Sequence, residues 1–461
     1  MKLASLFLAL ASVLFCPLSS DAQFSNMDSP KVSTNLQIFQ KAPAWTAHAT
    51  IYEVNLRQYS ASGSFRDFEK ELPRLKSMGV DILWFMPIHP IGLKERKGSL
   101  GSYYAVQDYL AVNPEHGSMD DFKHLVETIH GMGMHVMIDW VANHTAADSK
   151  WSVEHPEFFT KDASGKFVPP VADWSDVIDL DYENKNMRSA MIDAMKFWVE
   201  KTGIDGFRCD VAEMVPTSFW VEAFRELKKI KPDIFMLAEG EKAELHLGFH
   251  MTYTWSLFHL LTEIAGGKKN AKEIDAYVAR MQKEYTPLAC RMNFTSNHDE
   301  NSWNGTEYER MGDGAKAFAV LTAFLPGMPL VYSGQESALN HRLKFFDKDV
   351  IDWKDYPLND FYTRLLQLKQ HHPAMAGCDL SVPFERLDNS APESIFSYRR
   401  KRGEDEVIVL INLSASPKSF SLNASLANTD YTELFSEKKY TANDLKNLEL
   451  KPWDYLVLKI K

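Results

Sequence analysis

From about residue 48 onward, short apolar runs rich in β-branched and aromatic residues alternate with stretches of helical periodicity. Thr50–Val54 predicts a strand. Phe65, Phe68, Leu72, Leu75 and Met78 then recur at helical spacing, and Gly79 stops that helix. Ile82–Met86 is the next strand. Ser118 reads as an N-cap with Asp121 three residues on, followed by the apolar face of Met119, Phe122, Leu125, Val126 and Ile129. His135–Asp139 is a third strand. The alternation continues with a helix over Met187–Lys201, a strand over Gly206–Asp210, a helix lined by Phe219, Ala223, Leu227 and Ile230, and a strand over Ile234–Glu239. Met251–Trp255, Arg291–Ser296 and Pro329–Ser333 complete the strands, with further helices over Ala315–Leu325 and Phe361–Gln370.

Eight strands, most of them followed by a helix, predict a closed (β/α)8 TIM barrel. No Gly-rich phosphate loop follows the first strand, which argues against an open doubly wound sheet. Residues 144–184 form a long gap holding Trp151, Phe158, Phe159, Pro169, Pro170 and Trp174, too structured for a linker, and predict a small inserted subdomain after the third strand. Beyond residue 375 the helical period vanishes. Ser394–Arg399, Glu406–Asn412, Lys418–Leu422, Tyr431–Leu434 and Tyr455–Ile460 predict a C-terminal all-β domain, a β-sandwich over 376–461. The barrel then spans 23–375.

Residues 1–22 read as a signal peptide. Lys2 supplies a positive start, Leu3–Phe15 is an apolar run too short to span a bilayer, and Ser20-Asp21-Ala22 places small residues before a cut ahead of Gln23. The expectation is an exported protein, periplasmic or secreted, with no membrane insertion in its mature form. The net charge of −11 makes nucleic acid and anionic lipid surfaces poor partners. Of the 4 cysteines, Cys16 falls in the signal segment; Cys209, Cys290 and Cys378 are scattered and suggest neither a disulfide framework nor a metal site. On that reading stability comes from the core alone.

In such a barrel the carboxyl ends of the strands face one mouth. Those ends carry Asp139 with Asn143 and His144, then Arg208 and Asp210, then Glu239, then His298 and Asp299, with Tyr104 on the loop after the second strand. Any one of these alone reads as an N-cap or loop residue. Four carboxylates, two imidazoles and a guanidinium converging on one cavity read as chemistry. Asp210 and Glu239 end successive strands, which suits the paired carboxyls of a retaining glycosidase. Arg208, two residues before Asp210 on the same strand face, is expected to keep Asp210 ionised.

The motifs DWVANH (139–144), GFRCD (206–210), AEGE (238–241) and FTSNHD (294–299) resemble the four sequence regions of the α-amylase family, glycoside hydrolase family 13. GVDILWFMPIHPIG (79–92), GSYYAVQDY (101–109), DLDYEN (179–184) and GMPLVYSGQE (327–336) support the resemblance, which spans residues 45–460. It implies an α-glucan or malto-oligosaccharide substrate, with Asp210 as nucleophile, Glu239 as acid/base and Asp299 as the third carboxylate. Arg208, His144 and His298 match sugar contacts, Tyr104 a stacking platform and Asp139 a residue that supports the network. No cofactor is required for that chemistry. Asn143 matches a position that is a calcium ligand in many members, with Asp173 and Asp176 nearby, so a structural calcium is the one metal implied.

There are departures. Where many α-1,4-acting members carry Lys and His, this chain has Glu213 and Met214, and Val211 follows the nucleophile instead of Ala. A 4-α-glucanotransferase, a trehalose-forming isomerase or an α-1,6-acting glucosidase would share every catalytic residue. A non-catalytic glucan-binding protein is disfavoured because all three carboxylates are present. Pro87 and His89 read as structure at the barrel mouth.

Overall fold

The computed structural model describes residues 39–378 and 382–460. The signal-peptide expectation for 1–22 falls outside the described residues. Eight parallel strands close into a barrel: β1 (Ile51–Val54), β2 (Ile82–Phe85), β3 (His135–Trp140), β6 (Gly206–Cys209), β7 (Phe235–Ala238), β8 (Met251–Tyr253), β9 (Cys290–Asn293) and β10 (Met328–Tyr332). The intervening β4 (His144–Ala146) and β5 (Val177–Asp179) belong to the insert. Ile51 pairs with Ile82 on one side and Leu330 on the other, which closes the ring. Apart from half-buried His135 at the start of β3, the strands are buried along their whole length, as expected where helices cover a parallel sheet. At the start of β6 a Cβ on Gly206 would lie 2.0 Å from the Phe235 carbonyl oxygen, so only glycine allows that register.

Several elements differ from their sequence reading. The helix expected across 65–78 is two, Phe65–Glu69 and Leu72–Met78. Pro73 sits in the first turn of the second, where its missing N–H costs nothing; one turn further in it would clash with a continuing helix. Trp255, expected to end a strand, opens the helix Trp255–Ala265, and a further helix over Lys272–Glu284 follows. Ser118 and Asp121 form the reciprocal capping box the sequence suggests.

Within the insert, β4 and β5 pair antiparallel, His144 opposite Asp179. A small core of Ile91, Ala105, Ala146 and Val177, with Trp174 against it, ties the insert to the loop after β2. The C-terminal domain holds β11 (Phe384–Arg386), β12 (Ile395–Arg402), β13 (Asp405–Asn412), β14 (Lys418–Ser421), β15 (Asp430–Glu433), β16 (Lys439–Thr441), β17 (Asn447–Leu450) and β18 (Tyr455–Lys459). Six form one sheet in the order β11-β12-β13-β18-β15-β16, and β14 pairs with β17 in a second. β11, β16 and β17 were not legible in the sequence, being short and polar.

The cysteine reading is overturned. Cys290, the first residue of β9, and Cys378 form a disulfide across 88 residues, leaving Cys209 as the free, buried thiol among the described residues. Spacing along the chain carries no sign of this pairing; the fold brings the foot of the barrel against the segment that enters the C-terminal domain.

Candidate active site

Arg208 and Asp210 lie two residues apart at the end of β6, so both face the barrel axis while Cys209 points away. The Arg208 side chain is wholly buried. Its Nη1 donates to Asp139 Oδ1 at 2.8 Å and Asp210 Oδ1 at 3.0 Å, and its Nε donates to the Tyr253 hydroxyl at 3.1 Å. Nη2 lies 3.0 Å from Glu239 Oε1 as an ion pair. One guanidinium thus gathers three carboxylates from three adjacent strands. Asp210 and Glu239 keep 9 % and 12 % of their side-chain surface open, which exposes them to the cleft, whereas Asp139 has none.

Asp139 is held from its other side. Its Oδ2 accepts from Trp84 Nε1 at 3.2 Å and from the Tyr104 hydroxyl at 3.0 Å. That hydroxyl is 2.7 Å from His298 Nε2, and His298 Nδ1 is 2.5 Å from Glu53 Oε1. With the tyrosine proton given to Asp139, both imidazole nitrogens of His298 are donors, the pattern of an imidazolium. Asp299 Oδ2 lies 3.4 Å from the same Nε2 and is open to the cleft. Glu239 Oε2 accepts from the backbone N–H of Val211 at 2.7 Å. Val211 has φ +35°, a left-handed conformation that is costly for a β-branched residue, held at the position following Asp210. Glu213 turns away beneath the AEGE loop, accepting from Glu241 N at 2.5 Å and Lys242 N at 3.1 Å.

Burial pushes the Asp210 carboxyl well above the usual carboxylate range; the Glu239 charge adds to this and Arg208 opposes it. Arg208 does act toward the charged form of Asp210, as the sequence suggests, against burial and Glu239. Arg208 is shared among three carboxylates, and its charge does not offset burial plus a like-charged neighbour. The two histidines part in opposite directions. His298 is pushed up to about 9: burial opposes the charged form, and the carboxylates of Asp299 and Glu53 more than offset it. His144 is pushed down to about 3 by burial.

Asp210, Glu239, Asp299, Tyr104 and His144 line one cleft of about 370 Å³. Arg208, His298 and Asp139 lie beneath its floor. Glu53, Trp84 and Tyr253 complete the network and escaped the sequence reading. Glu53 and Tyr253 had a signal, a polar group inside an apolar strand; Trp84 had none, since tryptophan in such a strand reads as core.

The backbone carbonyl oxygens about Asn143 each already accept a hydrogen bond. The carbonyls of Val141 and His144 accept from the Tyr109 hydroxyl, that of Ala142 from Tyr182, and that of Asn143 from Leu180 N. Asp176 is paired to Lys97 at 2.9 Å. A calcium takes roughly six to eight oxygen ligands, carbonyls and waters included. Among the described residues no cluster of three or more His, Cys, Asp or Glu is placed to hold a metal.

The alpha amylase catalytic-domain family matches residues 27–168 and 171–355, and the maltogenic amylase C-terminal domain matches 384–457. The chain belongs to the α-amylase family of glycoside hydrolases. It is similar to an alpha-amylase from Lactobacillus plantarum at 30% identity, covering 90% of this chain and 99% of that one, with a TM-score of 0.81. A noncanonic maltogenic alpha-amylase, AmyB, from Thermotoga neapolitana is 29% identical over the same shares, with a TM-score of 0.82. Alpha-amylase MalA of Haloarcula japonica is 27% identical across 84% of this chain, and this chain spans 59% of the length of that relative.

Proposed function

We propose that this member of the family is a retaining hydrolase of α-glucosidic bonds, chiefly α-1,4, in starch, maltodextrins and related glucans. The observation that carries this reading is the Arg208 guanidinium holding Asp210 and Glu239 side by side, each 3.0 Å from one of its terminal nitrogens. In this reading Asp210 attacks the anomeric carbon from the β face and forms a β-linked glycosyl-enzyme. Glu239, as the acid, gives a proton to the departing oxygen and then takes one from the incoming water. Two inversions restore the α configuration. Asp299 binds the ring hydroxyls, His144 as a neutral ring donates to the sugar, and Tyr104 offers its face to the C–H-rich side, while His298 as a cation beneath the floor holds Tyr104 and Asp299 in place. Asp139 positions Arg208 and Tyr104. No step requires a metal.

NMR of freshly released sugars tests the mechanism: α-anomers are expected first, and β-anomers appearing first would overturn it. Export of the protein is supported by the pattern of residues 1–22 and by the Cys290–Cys378 disulfide, a bond that persists in oxidising compartments. Intact mass of the native protein is expected to start near Gln23, and retention of Met1 would refute it. Among the described residues no helix is long and apolar enough to cross a membrane.

A further inference from the structure

The two ends of the cleft are built differently. Glu239 protonates the oxygen that leaves on the reducing side of the broken bond, so the departing part of the glucan lies over the ends of β6 and β7. Met214 stands there 44 % exposed. The other end, beyond Asp299 and Tyr104, is rimmed by segments fastened to one another. Lys97, on the loop after β2, is paired with Asp176 of the insert at 2.9 Å and donates to the Asp173 carbonyl at 3.1 Å. Two residues on, Ser99 N and Oγ donate to Asp347 Oδ1 at 2.8 and 2.6 Å, and Leu100 N donates to the Phe346 carbonyl at 2.9 Å. A Cβ on Gly98 would lie 2.4 Å from Phe346 Cβ, so this loop is pressed directly onto the segment after β10. Phe345 and Phe346 pack against Trp303, with ring centroids 5.1 and 5.6 Å away, on the loop that carries Asp299. The rim therefore runs unbroken from the insert through Lys97 to Trp303, and Lys97, Asp176, Phe345, Phe346 and Trp303 line the same cleft as the carboxylates.

We propose that this rim closes the cleft just beyond the sugar held between Asp210 and Asp299, so that the enzyme takes a glucan by its free non-reducing end. The Lys97–Asp176 ion pair is the bolt that holds the rim shut. The inference rests on the hydrolase reading above and adds to it a substrate class, chain ends, and a specificity-determining residue, Lys97. Asp176 is 5 % exposed, so removing the ammonium leaves a buried carboxylate without its partner and drives the insert away from the loop after β2. Lys97 touches no reacting atom; it acts on which substrates enter.

The test compares maltoheptaose with maltoheptaose whose non-reducing glucose carries a bulky benzylidene cap, both labelled at the reducing end. For the wild-type chain, cleavage of the capped substrate is expected to be slower by ~100-fold, because a closed rim has no room for the cap. In Lys97→Ala that gap is expected to shrink to ~10-fold or less, and Lys97→Arg should restore it. Equal rates on the two substrates in the wild-type chain would overturn the inference and leave the hydrolase reading standing. Cleavage of neither would overturn both. An undiminished gap in folded Lys97→Ala would remove the bolt role from Lys97. The wild-type comparison decides chain-end selection whether or not the variant folds.

Discussion

The barrel buries charge at both ends and handles it in opposite ways. At the mouth Arg208 lies among Asp139, Asp210 and Glu239, so like charges crowd one cation and the Asp210 carboxyl is driven up. At the foot Lys369 is equally buried, and it donates to the Gly327 carbonyl at 2.7 Å. Burial pushes that ammonium well down, and Arg400 adds to the effect. The Cys290–Cys378 bond crosses the same foot, and Arg400 donates to the Ala376 carbonyl at 2.7 Å beside it. The mouth gathers like charges around one cation, whereas the foot is tied by covalent and backbone contacts. Changes at the mouth should therefore alter rate with little loss of stability, and changes at the foot should do the reverse.

The largest effect expected is at the mouth. Asp210→Asn should lower turnover of starch by ~10⁴-fold or more. It should leave the melting temperature unchanged or higher, because it removes one of the crowded charges. Near-normal turnover in the purified variant would remove Asp210 as nucleophile, and a collapse in stability would break the contrast between the ends. Glu239→Gln comes next. An activated leaving group needs no proton in the first step, so aryl glycosides should lose ~10²-fold less than natural glucans. A uniform loss on both substrates would argue against the acid role.

At the foot the order reverses. Cys378→Ser should cost about 2–4 kcal/mol of stability, because the reduced chain regains the freedom of a long loop. The melting temperature should fall by several degrees while kcat and KM at 25 °C stay within about twofold, below the 1.4 kcal/mol that a tenfold change represents. Unchanged melting in Cys378→Ser would mean that the foot does not depend on the tie.

What was legible in the sequence follows the same division. The eight strands could be read because a parallel barrel strand is apolar along its whole length, and the carboxylates stood out because they end those runs. Asp210, Glu239, Asp299, Arg208, His144, His298, Tyr104 and Asp139 do come together at one mouth. The disulfide was hidden because it joins positions 88 residues apart that only the closed barrel brings together. Lys97 was hidden for a like reason, and Asp176 stood out only as a possible calcium neighbour, not as the partner of Lys97 that the folded insert makes it. The split of the first helix was written in Pro73, which the apolar periodicity outweighed. Charge sharing at Arg208 required knowing that a third carboxylate, Asp139, competes for the same guanidinium.

The smallest effect expected is a pH response centred on His298, which sharpens the comparison because it sits under the mouth and still contributes to stability. Its folded value is about 9 against an ordinary 6.5, held up by Asp299 and Glu53, while burial and Arg208 oppose it. A group raised on folding stabilises fully below its unfolded value and loses that contribution as pH rises through its folded value. Between pH 6.5 and about 9 the melting temperature should therefore drift down by a few degrees, and above about 9 no further loss should come from this residue. The same deprotonation removes the cation beneath Asp299 and Tyr104, so kcat/KM should fall with an apparent value near 9. Glu53 is the control. Burial raises its own carboxyl, and His298 is the main group opposing that shift. Glu53→Gln keeps the size of the side chain, removes one of the two carboxylates that sustain the imidazolium, and should move the alkaline limb of the rate profile toward neutral pH. An alkaline limb that stays in place in Glu53→Gln would show that Asp299 alone sets the charge of His298, and the link from β1 to the cleft would be structural only.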